Sequence, residues 1–199
     1  MKKSIFVIIL LFCISSMTHG QVNTQIVSLF KKFQEGYTKR DTSQVDKFTS
    51  DLCSNDIQLI GTGDNEFMQG IAAAKNLFKT DWMYWFNLNI DTNNIILTGA
   101  GNYTFFMVRG TASMSFPTKD AAYSFAMNLL NQSVANEKTP RGKLLAYSSQ
   151  AANLIQQIES GSLEIKYSIR LSGGLEKKNE KWLFKQIVFS FPYPMTRKN

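Results

Sequence analysis

Histidine and cysteine are nearly absent from this sequence: His19 is the sole histidine, and Cys13 and Cys53 are the only thiols. Two of those three residues fall in a stretch that reads as an export signal. Lys2 and Lys3 make a short basic start, residues 5–14 form an unbroken apolar run, and Thr18-His19-Gly20 places small residues where a signal peptidase reads them before Gln21. The run is well short of the roughly 20 residues that span a bilayer. The sequence therefore predicts a signal peptide over residues 1–20, cleavage after Gly20, and a secreted or periplasmic chain with no stable membrane insertion afterwards. Two competing readings are an uncleaved N-terminal anchor and acylation at Cys13, which the bulky Phe12 fits poorly.

Cleavage would leave residues 21–199 without histidine. Ser-His-Asp and Cys-His catalysis are then excluded, as is a zinc or iron site that needs imidazole. Cys53 would be the only thiol, unable to form an internal disulfide and expected to be buried and inert. Carboxylates alone suit calcium-like or magnesium-like ions, so neither a transition metal nor a cofactor is expected. Loss of Lys2 and Lys3 lowers the formal charge from +7 to +5, and the remaining basic pairs are scattered: Lys31-Lys32, Lys39-Arg40, Lys177-Lys178 and Arg197-Lys198. Scattered pairs mean a solvated surface and not a track for phosphates, so no nucleic acid partner is expected.

The mature length suits one domain with a sizeable core. Ile26, Leu29, Phe30, Phe33 and Tyr37 recur at helical spacing and predict a helix over 22–38. Asp41 or Thr42 can cap a shorter helix through Val45, Phe48 and Leu52. A strand over 57–60 and the turn Gly61-Thr62-Gly63-Asp64-Asn65 lead to a third helix over 71–82. Alternation then predicts strands over 86–90, 95–98, 103–116, 163–175 and 181–191. Between them, residues 118–160 read as a helical hairpin. Thr118 caps a helix with Ala122, Phe125, Ala126 and Leu129 on one face; Thr139-Pro140 opens another with Leu144, Ala151, Ile155 and Ile158, closed by Gly161.

The last strand is apolar on both sides. Trp182, Phe184, Gln186, Val188 and Ser190 share one face; Leu183, Lys185, Ile187, Phe189 and Phe191 share the other. A strand of this kind needs cover on both faces.

The segment GTGDNEFMQG at 61–70, the helix end FKTDW at 78–82, and the closing hairpin YSIRLSGGLEKKNEKWLFKQIVFSFP at 167–192 resemble the SnoaL-like group of nuclear transport factor 2-like proteins, in particular exported bacterial members with a helical insertion. The resemblance covers roughly residues 22–116 and 161–192. It implies an α+β fold, a cone-shaped curved antiparallel sheet packed on three N-terminal helices, with a cavity near its mouth and an outer face often buried on a second subunit. The position of Val188 often carries histidine or glutamine in such relatives, directed into the cone, and here it is aliphatic.

On that frame Trp182, Phe184, Gln186, Val188 and Ser190 are expected to face the cavity. The row Leu183, Ile187, Phe189 and Phe191 is expected to face outward, covered by the hairpin or by a homodimer partner. The leading functional expectation is a non-catalytic protein enclosing a small, mostly apolar molecule. One alternative is an isomerase, cyclase or hydrolase using Glu66 or Asp64 as base with help from a tyrosine; another is a dimeric interaction protein whose cavity is filled by its own side chains. Asp64, Glu66 and Asp81 are the carboxylates expected near the rim. Glu66 either contacts a ligand or bonds loop amides or an arginine. Arg170 inside its strand, and Arg109 with a weaker case, pair with a carboxylate, reach the rim or hold an anionic ligand. Trp82, Tyr84 and Trp85 are core aromatics or cavity contacts, and Gln186 and Ser190 are satisfied by backbone or contact the ligand. Intact-mass analysis of exported protein is expected to show loss of residues 1–20; a lipid-bearing Cys13 would overturn that assignment.

Overall fold

The computed structural model describes residues 24–62, 66–135, 137–161 and 163–191. The export signal and Asp64 lie outside the described residues.

Helix α1 (Thr24–Lys39) buries Ile26, Leu29, Phe30, Phe33 and Tyr37, the stripe that its periodicity predicts. The Asp41 side chain accepts a hydrogen bond from Ser43 N–H at 3.0 Å and starts a short 3-10 turn, which runs into α2 (Val45–Leu52). No loop follows. Strand β1 (Cys53–Ile60) begins directly at the end of α2, four residues before its expected start. After the short strand β2 (Phe67–Gln69), helix α3 (Ile71–Tyr84) buries Ala74, Phe78 and Trp82. The remaining strands are β3 (Asn87–Ile90), β4 (Ile96–Ala100), β5 (Tyr103–Ser115), β6 (Glu164–Lys178) and β7 (Lys181–Ser190). They form one sheet in the order β2-β1-β7-β6-β5-β3, with β4 also on β5. All neighbours are antiparallel except β1 and β7, which run parallel.

The closing strand corrects the expected face assignment. Its alternation is not continuous, because Leu175 pairs with Phe184 and Gly174 pairs with Gln186, which leaves Lys185 as an extra residue without a partner on β6. Lys185 turns away to bond Asp56, with Glu176 at 3.8 Å. The phase therefore shifts by one, and Phe184, Ile187 and Phe189 all point into the cone. Gln186, Val188 and Ser190 point outward instead, so the aliphatic Val188 is no lost cavity group. The row Leu183, Ile187, Phe189 and Phe191 is not a single outward face.

Gly173 makes room for this bulge. It faces Ile187, its φ is +156°, and a Cβ there would lie 2.0 Å from the Gln186 carbonyl oxygen.

Inside the cone the aromatic rings meet edge to face or tilted. Phe30 stands 5.0 Å from Phe106 and 5.2 Å from Phe184; Phe33 stands 5.1 Å from Phe184 and 5.7 Å from Phe78. Each such pair adds about 0.5–1.5 kcal/mol beyond its area.

The hairpin, α4 (Lys119–Ala135) and α5 (Pro140–Glu159), begins as expected. Thr118 Oγ1 accepts from Ala121 N–H at 3.1 Å, and Thr139 Oγ1 accepts from Gly142 N–H at 3.0 Å. It packs on Phe86, Ala112 and Ile165 through Ala122, Ala126, Leu130, Leu154 and Ile158. Ala112 and Ile165 alternate in phase with Val108 and Ile169, which face the first core. The hairpin thus covers the far end of the concave face, where a cone would open, and not the outer face. Its second helix is also rotated from the expected stripe: Tyr147 and Leu154 turn inward, whereas Leu144 and Ile155 are exposed.

Replacing Gly173 with Ala is expected to destabilise the protein by about 3 kcal/mol, since the added carbon must displace β7 backbone at a strained φ. Urea unfolding measures it, and a loss under about 0.5 kcal/mol would mean the bulge adapts freely.

Candidate functional site

Tyr37 is the one polar side chain on the buried stripe of α1, and a buried phenol needs an acceptor. Asp81, near the end of α3, supplies it: Tyr37 OH donates to Asp81 Oδ2 at 2.6 Å. Arg40 follows α1 in a left-handed conformation, φ +53°. From there its Nε–H donates to the Tyr37 carbonyl at 3.1 Å, and its guanidinium also donates to the Trp85 carbonyl. Trp85 then bridges the two cores, 5.8 Å from Tyr37, 6.1 Å from Phe189 and 6.0 Å from Phe86.

Electrostatics in this cluster follow burial. The Asp81 carboxyl is pushed up from 3.8 to about 6, first by burial and then by the charge of Glu66, against the opposing Tyr37 bond and Arg40 charge. Burial and the adjacent Asp81 charge hold the Tyr37 phenol well above its ordinary range. Burial also pushes the Cys53 thiol up to about 12, so it is inert at neutral pH. Glu66 is half-buried beside the turn, its carbonyl accepting from Gly61 N–H at 2.8 Å and its side chain folded over the same glycine. The pair is a protonatable carboxyl joined to a phenol, components suited to acid–base chemistry.

Of the residues expected at a cavity, the structure brings Glu66 and Trp85 to this cluster and disperses the others. Trp82 is buried 4.9 Å from Phe48, with its indole N–H unpartnered, and Phe184 is packed in the core. Trp182 is half-buried at the core edge and Tyr84 is exposed. Arg109 and Arg170 are not interior. They sit opposite each other on β5 and β6, exposed on the outer face with Ser190 beside Arg170, and neither forms an ion pair among the described residues. Gln186, also on the outer face, donates to Gln58 at 3.1 Å. Sequence reasoning placed Asp81 near the rim but missed its link to Tyr37; the clue was a phenol inside an apolar stripe.

Two hollows open on the surface, both outside the interior of the cone. One of about 330 Å3 lies on the outer sheet face, lined mainly by Ile96, Phe105, Met107, Ser172, Gln186 and Val188. The other, about 350 Å3, is a polar surface hollow between the start of α2 and α3, with Asp46, Lys75 and Lys79 on its walls. Among the described residues no three His, Cys, Asp or Glu side chains gather as a metal site would require.

Because the folded state raises the Asp81 pKa, the stability it contributes is fully present below pH 3.8 and is lost as pH rises toward 6. That loss is expected to total about 3 kcal/mol, and Asp81→Asn should flatten the slope. Urea unfolding across this pH range checks it; equal slopes for both proteins would show that Asp81 is not the titrating group.

No family model and no curated protein matches the sequence. Solved structures match the fold. A nuclear transport factor 2-like superfamily protein from Salmonella enterica superposes with a TM-score of 0.53 at 12% identity, over 88% of this chain and 94% of that one. A nuclear transport factor 2-like protein of unknown function from Pseudomonas putida gives 0.50 at 12% identity, over 88% and 90%. A hexachlorocyclohexane dehydrochlorinase from Novosphingobium barchaimii gives 0.52 at 11% identity, over 85% and 86%. With the element order, the curved sheet and the three helices in its concave side, these superpositions establish that the chain has the nuclear transport factor 2-like cone fold.

Proposed function

We propose that this chain is an exported, non-catalytic binding protein that works through the outer face of its sheet and pairs there with a second copy of itself. The observation that carries the reading is the composition of that face. Phe67, Ile96, Tyr103, Phe105 and Met107 are each more than half exposed on it. One row crosses the sheet in register from Phe67 through Ile60, Val188, Ser172 and Met107 to Ile96. A soluble monomer seldom leaves an apolar row of this length, interrupted only by Ser172, uncovered, and a two-fold contact covers both copies with one patch.

The expected enclosure of a ligand inside the cone is replaced by a different seat. Aromatic rings fill the interior, whereas the outer groove is large enough for a small, mostly apolar molecule and offers Ser172 and Gln186 as polar contacts. Closed between two copies, the groove becomes a chamber.

A second reading, acid–base catalysis at Tyr37 and Asp81, is favoured by the raised Asp81 pKa. It needs a hollow beside that pair, whereas the groove of the leading reading lies on the opposite face of the sheet.

Sedimentation velocity of the mature protein is expected to show a dimer. Phe105→Glu or Met107→Glu should weaken it at least about 30-fold while leaving the circular dichroism unchanged, since each would bury an unpaired carboxylate. A wild-type monomer at micromolar concentration would refute the pairing.

A further inference from the structure

The hairpin has an outward side that its packing does not use. From residue 121 to 136, and again from 144 to 158, the sequence contains no Asp, Glu, Lys or Arg. Solvent-facing helices ordinarily carry charge on the face turned from the core. Here that face carries Met127, Leu144, Leu145 and Ile155, which are 52%, 69%, 52% and 50% exposed. At about 100° per residue, Arg141, Leu144, Leu145 and Ile155 share one exposed sector of α5, which adjoins the sector of the buried Leu154 and Ile158.

Charge is confined to the two ends of the hairpin. At the base, Lys119 pairs with Glu159 at 2.7 Å. The free tip holds Lys138, Arg141 and Lys143, all exposed and none in an ion pair among the described residues. The single tip carboxylate, Glu137, accepts from Thr139 N–H at 3.0 Å and Thr139 Oγ1 at 3.1 Å, and these bonds hold its pKa low. Three cations against one anion, next to two exposed leucines, match an interface that is anionic at its surface and apolar just beneath.

We propose that the hairpin is a peripheral docking element for an anionic lipid bilayer. Leu144 and Leu145 enter the headgroup boundary, Lys138, Arg141 and Lys143 lie against lipid phosphates, and the uncharged outward sides of α4 and α5 rest on the surface. No helix among the described residues is long and apolar enough to cross a membrane, so the contact is adsorption and not insertion. The hairpin covers the concave side of the sheet, which leaves the outer face free, and the two surfaces can be engaged together.

The test is co-sedimentation of the mature protein with vesicles of phosphatidylcholine, with and without phosphatidylglycerol, at low and high salt. Binding is expected only with phosphatidylglycerol and is expected to weaken with salt. Leu144→Ser with Leu145→Ser should lower it at least about tenfold. Lys138→Gln, Arg141→Gln and Lys143→Gln together should abolish the salt dependence. Lys31→Gln with Lys32→Gln, which removes charge from the exposed side of α1, should leave binding unchanged; circular dichroism confirms that each variant is folded. Equal binding to neutral vesicles, a loss in the α1 variant matching that at the tip, or leucine variants that bind like wild type would each overturn the proposal. So would leucine variants that alter the sedimenting species without vesicles present, which would make this face a protein contact.

Discussion

The extra residue in the closing strand sets the phase of everything it touches, because β7 lies at the centre of the sheet with β1 on one side and β6 on the other. With Lys185 looped out, Phe184, Ile187 and Phe189 all reach the helices, and Phe184 and Phe189 meet Phe33. Without it, two of those three side chains would turn to solvent and Gln186 and Val188 would be driven into the rings. The same shift supplies the outer groove with Gln186 and Val188. One residue thus both fills the cone and furnishes the surface outside it, and Gly173 is the local condition that permits it.

Much of the architecture was legible because it rests on periodicity. The stripe of α1, the caps at Thr118 and Thr139, the turn before β5 and the position of the hairpin all follow from residue spacing and cap chemistry. The bulge was not legible, since β7 is apolar on both faces and either phase satisfies the same pattern. The rotation of α5 failed similarly: Leu144 and Ile155 compete with Tyr147 and Leu154, and only contact with Ala112 and Ile165 decides between them. Arg170 looked anomalous inside a strand because its face was unknown; on the exposed side it needs no partner.

The cluster around Tyr37 lay beyond sequence reasoning for a different reason. Tyr37 and Asp81 are 44 positions apart, and their bond depends on how α1 crosses α3. Arg40 then bonds backbone at the ends of both helices. The result is a polar clamp where the two cores adjoin, with a carboxyl whose raised pKa comes first from the burial that the clamp imposes. Electrostatics and structure are not separable at such a point, since the burial that raises the carboxyl pKa also holds two helices together.

The parallel pairing of β1 with β7 has a consequence for how the chain reaches this state. Register joins Cys53 to Phe184, Gln58 to Gln186 and Ile60 to Val188, and no other strand pair in the sheet joins residues so far apart in sequence. Closing such long loops is slow and delays the gain from burial. A chain emerging from its N-terminus has α1, α2 and β1 in hand early, yet the strand that β1 pairs with and that Phe30 and Phe33 pack on arrives last. Until then β1 and β6 each present an open edge, so the unfinished molecule is held open by its own topology and is vulnerable to association if closure is delayed.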